Sequence, residues 1–281
     1  MMMRIFRVLA GAVAVLRLSA LGARTSAMER GGAEHVVVVV WDGMRPDFVS
    51  PQFTPNLHQL AVNVVFFKNQ HPVYISSREV NGTAIATGAY PDRSGGIANR
   101  DYRPEMAWSD SLGTESIEAI RRGDALTGGH YLAIPIIAEV LQRSGFPTVV
   151  AGTKPVALLQ DRSNRRTNAP TLESIMLYNG HSIPSDLLET IVHAQDKGFP
   201  AAATPNTARD EWTTKALTHT LWKRGVPKFS LLWLSEPDAS QHATSPGSDT
   251  SVAALESSDH NLGLVWKTSA PASSSVSLAS Y

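Results

Sequence analysis

The sequence of 281 residues contains no cysteine. This absence excludes disulfide scaffolds, iron–sulfur sites, thiolate zinc sites and thiol catalysis. An excess of either charge is absent as well, because 25 basic side chains balance 25 acidic ones. The chain therefore lacks the net positive charge that is typical of proteins that bind nucleic acid or an anionic membrane surface. A hydrophobic fraction of 43% is enough for a sizeable core, and nine histidines remain as metal ligands beside the carboxylates.

Long apolar runs are also missing. The longest near the start, Val8–Leu16, follows Arg4 and Arg7 and is shorter than the roughly 18 residues that a membrane span needs. Small residues follow as far as Ala27. This pattern predicts a signal peptide over residues 1–27, export to the periplasm or the outside, and no membrane span after cleavage. An N-terminal anchor is the alternative.

Strand and helix patterns alternate along the rest of the chain. Val36–Trp41 and Lys228–Ser235 are continuous apolar runs of the kind found in strands buried on both faces of a parallel sheet. The pattern predicts an α/β fold with a mostly parallel central sheet and helices on both faces. Further strands are expected over 64–67 and 147–151, and helices over 56–62, 79–87, 135–144, 185–194, 208–223 and 251–266.

Acidic side chains directly follow two of these strands. Asp42 comes after the first, and Asp238 lies within Glu-Pro-Asp-Ala-Ser-Gln-His after the last, with His242 four residues further on. If the two strands are near neighbours, both carboxylates emerge at the same edge, where a divalent cation would find oxygen and imidazole ligands. The alternative is that each aspartate caps a helix or shapes a turn. Lys154 also follows a strand at this edge and could meet a phosphate, but a solvated lysine is the expectation there.

Four segments in order make the chain similar to the alkaline phosphatase superfamily, and in particular to its type I phosphodiesterase/nucleotide pyrophosphatase branch. The segments are residues 39–47, 56–61, 81–97 and 231–242. The resemblance implies hydrolysis of a small-molecule phosphate ester at a two-zinc centre. It would make Asp42 a ligand of one zinc, and Asp238 and His242 ligands of the other.

The same resemblance assigns roles at the start of the helix expected over 79–87. Asn81 would donate its side-chain amide to a phosphoryl oxygen, or alternatively would bond only to local backbone. The family's threonine or serine nucleophile stands three residues earlier, where this chain has Arg78, which can neither attack phosphorus nor bind zinc. Ser77 is the candidate replacement, activated by a metal and by the helix N-terminus. Alternatively, Ser77 is only an N-cap and the nucleophile is lost.

The family's remaining metal ligands, an Asp-His pair and a later histidine, are not matched downstream. Residues 258–261 read Ser-Asp-His-Asn, but they fall inside a helical pattern. Residues 267–281 form a tail rich in serine and alanine with no strand or helix period. We therefore expect an incomplete catalytic domain over 28–266, with the C-terminal part of the fold missing.

Two alternatives to an active phosphodiesterase stay open. One is a non-catalytic remnant of the fold, which Arg78 and the unmatched ligands favour. The other is a sulfatase or phosphonate hydrolase of the same superfamily, although the Cys/Ser-x-Pro-x-Arg signature of sulfatases is absent around Ser77. The sequence indicates neither the substrate nor the oligomeric state.

Overall fold

A six-stranded sheet forms the centre of the protein in a computed structural model that describes residues 33–162, 174–269 and 276–280. The expected signal peptide, 1–27, lies outside the described residues. The strand order is β6-β5-β4-β7-β1-β8, and every neighbouring pair is parallel except β5 and β6. The strands are β1 (Val36–Trp41), β4 (Thr148–Gly152), β5 (Ile175–Tyr178), β6 (His181–Ile183), β7 (Phe229–Leu234) and β8 (Val276–Ser280). Two short strands, β2 (Arg100–Asp101) and β3 (Leu112–Gly113), form a separate antiparallel pair.

Helices connect these strands and cover the sheet. They are α1 (Pro55–Asn63), α2 (Arg78–Thr87), α3 (Pro91–Ser94), α4 (Ile117–Thr127), α5 (Ile137–Arg143), α6 (Leu187–Gln195), α7 (Thr207–Lys215), α8 (Asp238–Thr244) and α9 (Asp249–Ser269). Short 3₁₀ turns span Pro46–Phe48 and Pro155–Gln160, and a π-helical turn over Ala216–Leu221 continues α7.

The central strands are buried on both faces, as their unbroken apolar sequences predict. Alternate residues of β1 point to opposite sides, so Val37 and Val39 enter one core cluster and Val40 enters the other. The first cluster packs under α1, α6, α7 and α9, and the second under α2, α4 and the 155–160 turn. The predicted α/β architecture, with a mostly parallel sheet between two helical layers, is thereby confirmed.

Three local expectations are wrong. Residues 64–67 form no strand, and Phe67 is 72% exposed, because within the described part of the chain no strand lies beside them to share hydrogen bonds. Conversely, Val276–Ser280, in the tail without strand period, is β8 and pairs in parallel with β1. The helix expected over 208–223 changes to a π-helical turn after Lys215.

None of the helices within the described ranges is both long and apolar enough to cross a membrane. A cavity of about 970 Å³ opens beside Pro147, Ile175 and Pro227. These residues lie at the amino ends of β4, β5 and β7. The cavity is therefore at the opposite end of the sheet from the two acidic motifs, and we do not assign it to the site described next.

Candidate active site

Three adjacent strands bring charged side chains to one edge of the sheet. β4, β7 and β1 are neighbours and parallel, so the residues that follow them emerge together. Asp42 follows β1, Lys154 follows β4, and Asp238 begins α8 after β7. This edge, formed by the carboxyl ends of the strands, is where open α/β sheets place their ligand sites.

The loops that carry the two aspartates touch each other directly. The backbone N–H of Asp238 donates to the carbonyl oxygen of Asp42 at 2.9 Å. Gly43 adopts φ +72°, and a Cβ there would lie 2.9 Å from the Cα of Asp238. Only glycine satisfies both the left-handed backbone and this close approach. Gly43 therefore allows the two acidic motifs to meet.

The ammonium group of Lys154 bridges the two carboxylates. Its Nζ lies 2.8 Å from Oδ2 of Asp42 and 2.5 Å from Oδ2 of Asp238. The side chains of Lys154 and Asp42 are 13% and 12% exposed, and that of Asp238 is 22% exposed. Lys154 is thus part of the site, and the expectation of a solvated lysine is wrong. The two carboxylate oxygens converge on one positively charged atom.

Burial and the neighbouring positive charge have opposite effects on the pKa of Asp42. Burial raises the pKa of its carboxyl above the ordinary value, and the neighbouring Lys154 ammonium offsets part of that rise. The indole of Trp233 also donates to Oδ2 of Asp42 at 3.4 Å. The net increase indicates that the surroundings do not fully compensate the negative charge of this carboxylate.

His242 lies at the outer rim of this arrangement. Its imidazole is one turn of α8 from Asp238, and Nε2 lies 3.2 Å from Oδ1 of Asp238. The side chain is 83% exposed. The predicted i, i+4 contact between the two residues is therefore present, with the ring against the opposite carboxylate oxygen from Lys154.

Helix α2 packs against the same edge through Gly82, near its middle. A Cβ on Gly82 of α2 would lie 3.3 Å from the Trp233 ring, and the carbonyl oxygen of Gly82 accepts from Gln160 in the turn after Lys154. Ser77 is the N-cap residue of α2, but its hydroxyl makes no capping bond. In the described part of the chain its Oγ is buried without a hydrogen-bond partner. An N-cap serine would normally bond to the helix backbone, so this hydroxyl is available for another role.

Asn81 is buried one turn into α2 and bonds to the preceding loop. Its Nδ2 donates to the carbonyl oxygen of Ser77 at 3.0 Å, and its Oδ1 accepts from the N–H of Val73 at 2.9 Å. These bonds are the ones expected if Asn81 bonds only to local backbone, which was the alternative to a role in binding a phosphoryl oxygen. A side-chain amide has two N–H groups, so one remains for a ligand.

Arg78, at the position of the family nucleophile, is held by two glutamates. Its guanidinium donates to Oε1 of Glu79 at 2.6 and 2.9 Å and lies 3.4 Å from Oε1 of Glu115. Burial, followed by a hydrogen bond with Glu79, raises the pKa of Glu115 to about 7. The arginine charge is thus largely compensated by its own cluster.

A complete metal centre is not assembled by the side chains the structure describes. Within those ranges no group of three or more histidine, aspartate or glutamate side chains is placed to hold a metal ion. Asp42 and Asp238 are brought together, His242 contacts Asp238, and Ser77 and Asn81 lie at the N-cap and in the first part of the adjoining helix α2. The sequence analysis placed Lys154 at this edge but did not assign it to the site, where the structure shows it between the two carboxylates.

The fold and this edge define an α/β protein with paired carboxylates and a helix N-terminus at the carboxyl ends of parallel strands. Residues 36–279 match the family described as type I phosphodiesterase / nucleotide pyrophosphatase. The chain belongs to this family, within the alkaline phosphatase superfamily.

A human relative and two solved structures resemble the chain. It is 26% identical over 226 residues to human ectonucleotide pyrophosphatase/phosphodiesterase family member 1, covering 80% of this chain and 20% of that protein. Murine ectonucleotide pyrophosphatase/phosphodiesterase 5, solved as an inactive variant with AMP, shares 20% identity with a TM-score of 0.56, over 88% of this chain and 56% of that one. Phosphonoacetate hydrolase from Sinorhizobium meliloti 1021, solved with phosphonoacetate, shares 17% identity with a TM-score of 0.56, over 84% and 54%. The chain thus spans about a fifth of the human relative and little more than half of each solved chain.

Proposed function

We propose that the protein is an exported, cation-dependent hydrolase of small phosphate esters of the phosphodiesterase type. The observation that carries the proposal is the convergence of Asp42 and Asp238 on one cationic atom, with Nζ–oxygen distances of 2.8 and 2.5 Å. Family membership supports the reaction type, and the similarity to a human ectonucleotide pyrophosphatase/phosphodiesterase fits the export predicted from residues 1–27.

The donor set fits a divalent cation of borderline hardness such as zinc. The proposal keeps one cation, not the two zinc ions that the sequence resemblance implies, because the described residues bring Asp42 and Asp238 together at one point. Asp42 and Asp238 would supply carboxylate oxygens, and His242 would supply an imidazole nitrogen after turning from Asp238. Because Lys154 lies between the carboxylates, it has to give way to the cation. When bound, the cation would lower the pKa of the attacking hydroxyl and offset charge on phosphoryl oxygens.

The chain's own residues have the following roles in the proposal. Ser77 Oγ forms a bond to phosphorus while the bond from phosphorus to one ester oxygen breaks. The serine proton passes to solvent, and the departing oxygen takes up a proton from solvent and leaves as an alcohol. Water then cleaves the bond between Ser77 Oγ and phosphorus and releases the remaining phosphate monoester. Asn81 donates its remaining N–H to a phosphoryl oxygen, and the displaced Lys154 ammonium is within reach of the same anion. Arg78 stays bound by Glu79 and Glu115 rather than entering the reaction.

Hydrolysis of bis-p-nitrophenyl phosphate, with zinc content measured on the same sample, tests this proposal. We expect turnover that is lost in Ser77→Ala and Asp42→Asn but kept in Ser76→Ala, whose side chain is exposed and next in sequence. Equal turnover in Ser77→Ala and the parent protein would rule out Ser77 as the nucleophile. Preference for a sulfate ester or a phosphonate over the diester would instead favour the other enzymes of the superfamily.

A non-catalytic phosphate-binding protein is the second candidate. The local hydrogen bonds of Asn81 and the arginine at position 78 favour it. No turnover of any ester, together with retained binding of inorganic phosphate in calorimetry, would select this candidate over the hydrolase.

A further inference from the structure

Asp210 on α7 is a buried carboxylate that accepts four hydrogen bonds at the back of the site. It is 1% exposed. The N–H and hydroxyl of Ser235 donate to Oδ1 at 2.9 and 3.0 Å, and the N–H of Glu236 donates to Oδ2 at 3.0 Å. The hydroxyl of Thr153 also donates to Oδ1. One side chain therefore holds two separate segments.

These segments are the carboxyl ends of β4 and β7, which carry the site. Thr153 directly precedes Lys154, and Glu236 stands two residues before Asp238. We propose that Asp210 is the positioning residue of this site, which fixes Lys154 and Asp238 at their mutual spacing. The proposal rests on the proposed function for its catalytic meaning, but the spacing is measurable without turnover.

At the start of α7, Asn206 also binds the residues that follow β7, but here the helix side supplies the hydrogen-bond donors. The N–H of Asn206 donates to Oε1 of Glu236 at 2.6 Å, and its Nδ2 donates to the hydroxyl of Ser235 at 2.9 Å. Hydrogen bonds thus run in both directions between α7 and the loop before α8: Asp210 accepts from this loop, and Asn206 donates to it. A rigid element that holds two strand ends is what accurate placement of reacting groups requires.

A carboxylate is needed because all four partners are donors. Asparagine would turn one of the two oxygens into an NH₂ group, which would face a donor and leave it buried without a partner. Burial raises the pKa of Asp210 to about 6 although the four bonds oppose the rise, so the carboxylate is ionised at pH 8. The Asp210→Asn variant should therefore release one of the two strand ends.

A double-mutant cycle on Lys154 and Asp238 measures how strongly these two residues interact, and so distinguishes a positioning role of Asp210 from a general contribution to stability. The change in the unfolding equilibrium constant is measured by urea denaturation at pH 8 for Lys154→Met, Asp238→Asn and the double variant. We expect a coupling factor of about fivefold or more in the parent background, as for residues in contact. In the Asp210→Asn background we expect the coupling factor to fall to about twofold or less, which means that the two residues hardly interact.

Asp161→Asn is the matched control. Asp161 is fully buried and accepts from Thr148 at 3.3 Å, so it binds the same strand, β4, at its opposite end. We expect the control to lower stability yet to preserve the coupling factor. An unchanged coupling in Asp210→Asn, or an equal loss in Asp161→Asn, would overturn the proposal.

Milder variants at Thr153 test the same idea in a chain with an intact Asp210. Thr153→Val removes one of the four donors, and Thr153→Ser keeps it. We expect reduced coupling in the valine variant and restored coupling in the serine variant; equal coupling in both would contradict the proposal. If the parent hydrolyses the diester, the valine variant should lower kcat more than it raises KM. If the parent hydrolyses nothing, the proposed function fails and the coupling experiment still tests Asp210.

Discussion

Replacing Lys154 by methionine tests the charge arrangement on which the site depends. Methionine keeps an unbranched side chain of similar length but removes the ammonium that bridges Asp42 and Asp238. The two carboxylate oxygens lie 2.8 and 2.5 Å from Nζ, so they are at most 5.3 Å apart, and without the ammonium their charges face each other. Two unit charges at that separation repel by about 3 kcal/mol at an effective dielectric constant of 20.

The expected loss of stability follows from the partial exposure of these groups. Exposed ion pairs contribute about 0–1 kcal/mol, and breaking a fully buried pair costs about 3–5 kcal/mol. With side chains 12–22% exposed, we expect Lys154→Met to lower the free energy of unfolding by about 2 kcal/mol at pH 8. The loss should shrink as the pH is lowered, because burial raises the pKa of the Asp42 carboxyl and its protonation removes the repulsion.

Urea denaturation of the parent protein and three variants checks this expectation. Lys215→Met is the control, since Lys215 forms a surface pair with Glu211 at 2.6 Å, and we expect it to cost about 0.5 kcal/mol or less. Adding Asp42→Asn to Lys154→Met should recover most of the lost stability.

Zinc at about 100 times its Kd should stabilise by about 2.7 kcal/mol. It should act more strongly on Lys154→Met than on the parent, where the ammonium competes for the same oxygens. If Lys154→Met is as stable as the control, or if Asp42→Asn does not rescue it, the two carboxylates do not share one cation.

Three further predictions concern the surroundings of the site. The folded protein raises the pKa of Glu115 from 4.5 to about 7, so between these pH values the folded state holds a proton that the unfolded chain releases, and the free energy of unfolding falls as pH rises. In Glu115→Gln, about 1–2 kcal/mol of the stability lost between pH 5 and pH 8 should no longer be lost. The control Glu256→Gln, at an exposed position, should leave the pH dependence unchanged. Asp259→Ala should cost about 2–3 kcal/mol in thermal unfolding, because this carboxylate caps the N-terminus of α1 with backbone bonds of 3.0 and 2.9 Å. Gly82→Ala should destabilise by about 1 kcal/mol in the same assay despite alanine's better helix propensity, because a Cβ would lie 2.8 Å from Val156.

The main elements of the site could be predicted because the chain carries strong local patterns. Asp42 and Asp238 follow unbroken apolar strands, and parallel pairing necessarily brings such strand ends to one edge. Lys154 could not be assigned in the same way, because its position between two carboxylates depends on the order β4-β7-β1, which no local pattern specifies. The free hydroxyl of Ser77 is likewise a tertiary property, since the sequence only shows that serine suits an N-cap.

The two errors about strands share one cause. Residues 64–67 have the β-branched and aromatic composition of a strand yet remain exposed, while Val276–Ser280 form β8 within a tail rich in serine and alanine. Strand propensity measures how well side chains fit a half-buried pleated surface, and it does not provide the neighbouring strand. Pairing with β1 makes the second segment a strand, and the lack of pairing leaves the first as a loop.

The charges at the site limit how it can bind a phosphate ester. Asp42 and Asp238 together outweigh Lys154 by one negative charge, and Glu79 already compensates Arg78. A phosphodiester anion approaching the described residues would therefore meet a negative balance of charge. A divalent cation between the carboxylates would reverse that balance and leave the Lys154 ammonium free to face the substrate. Phosphate binding should accordingly depend on the cation even in a variant that lacks Ser77, which separates the electrostatic role of the edge from the chemistry at the helix N-terminus.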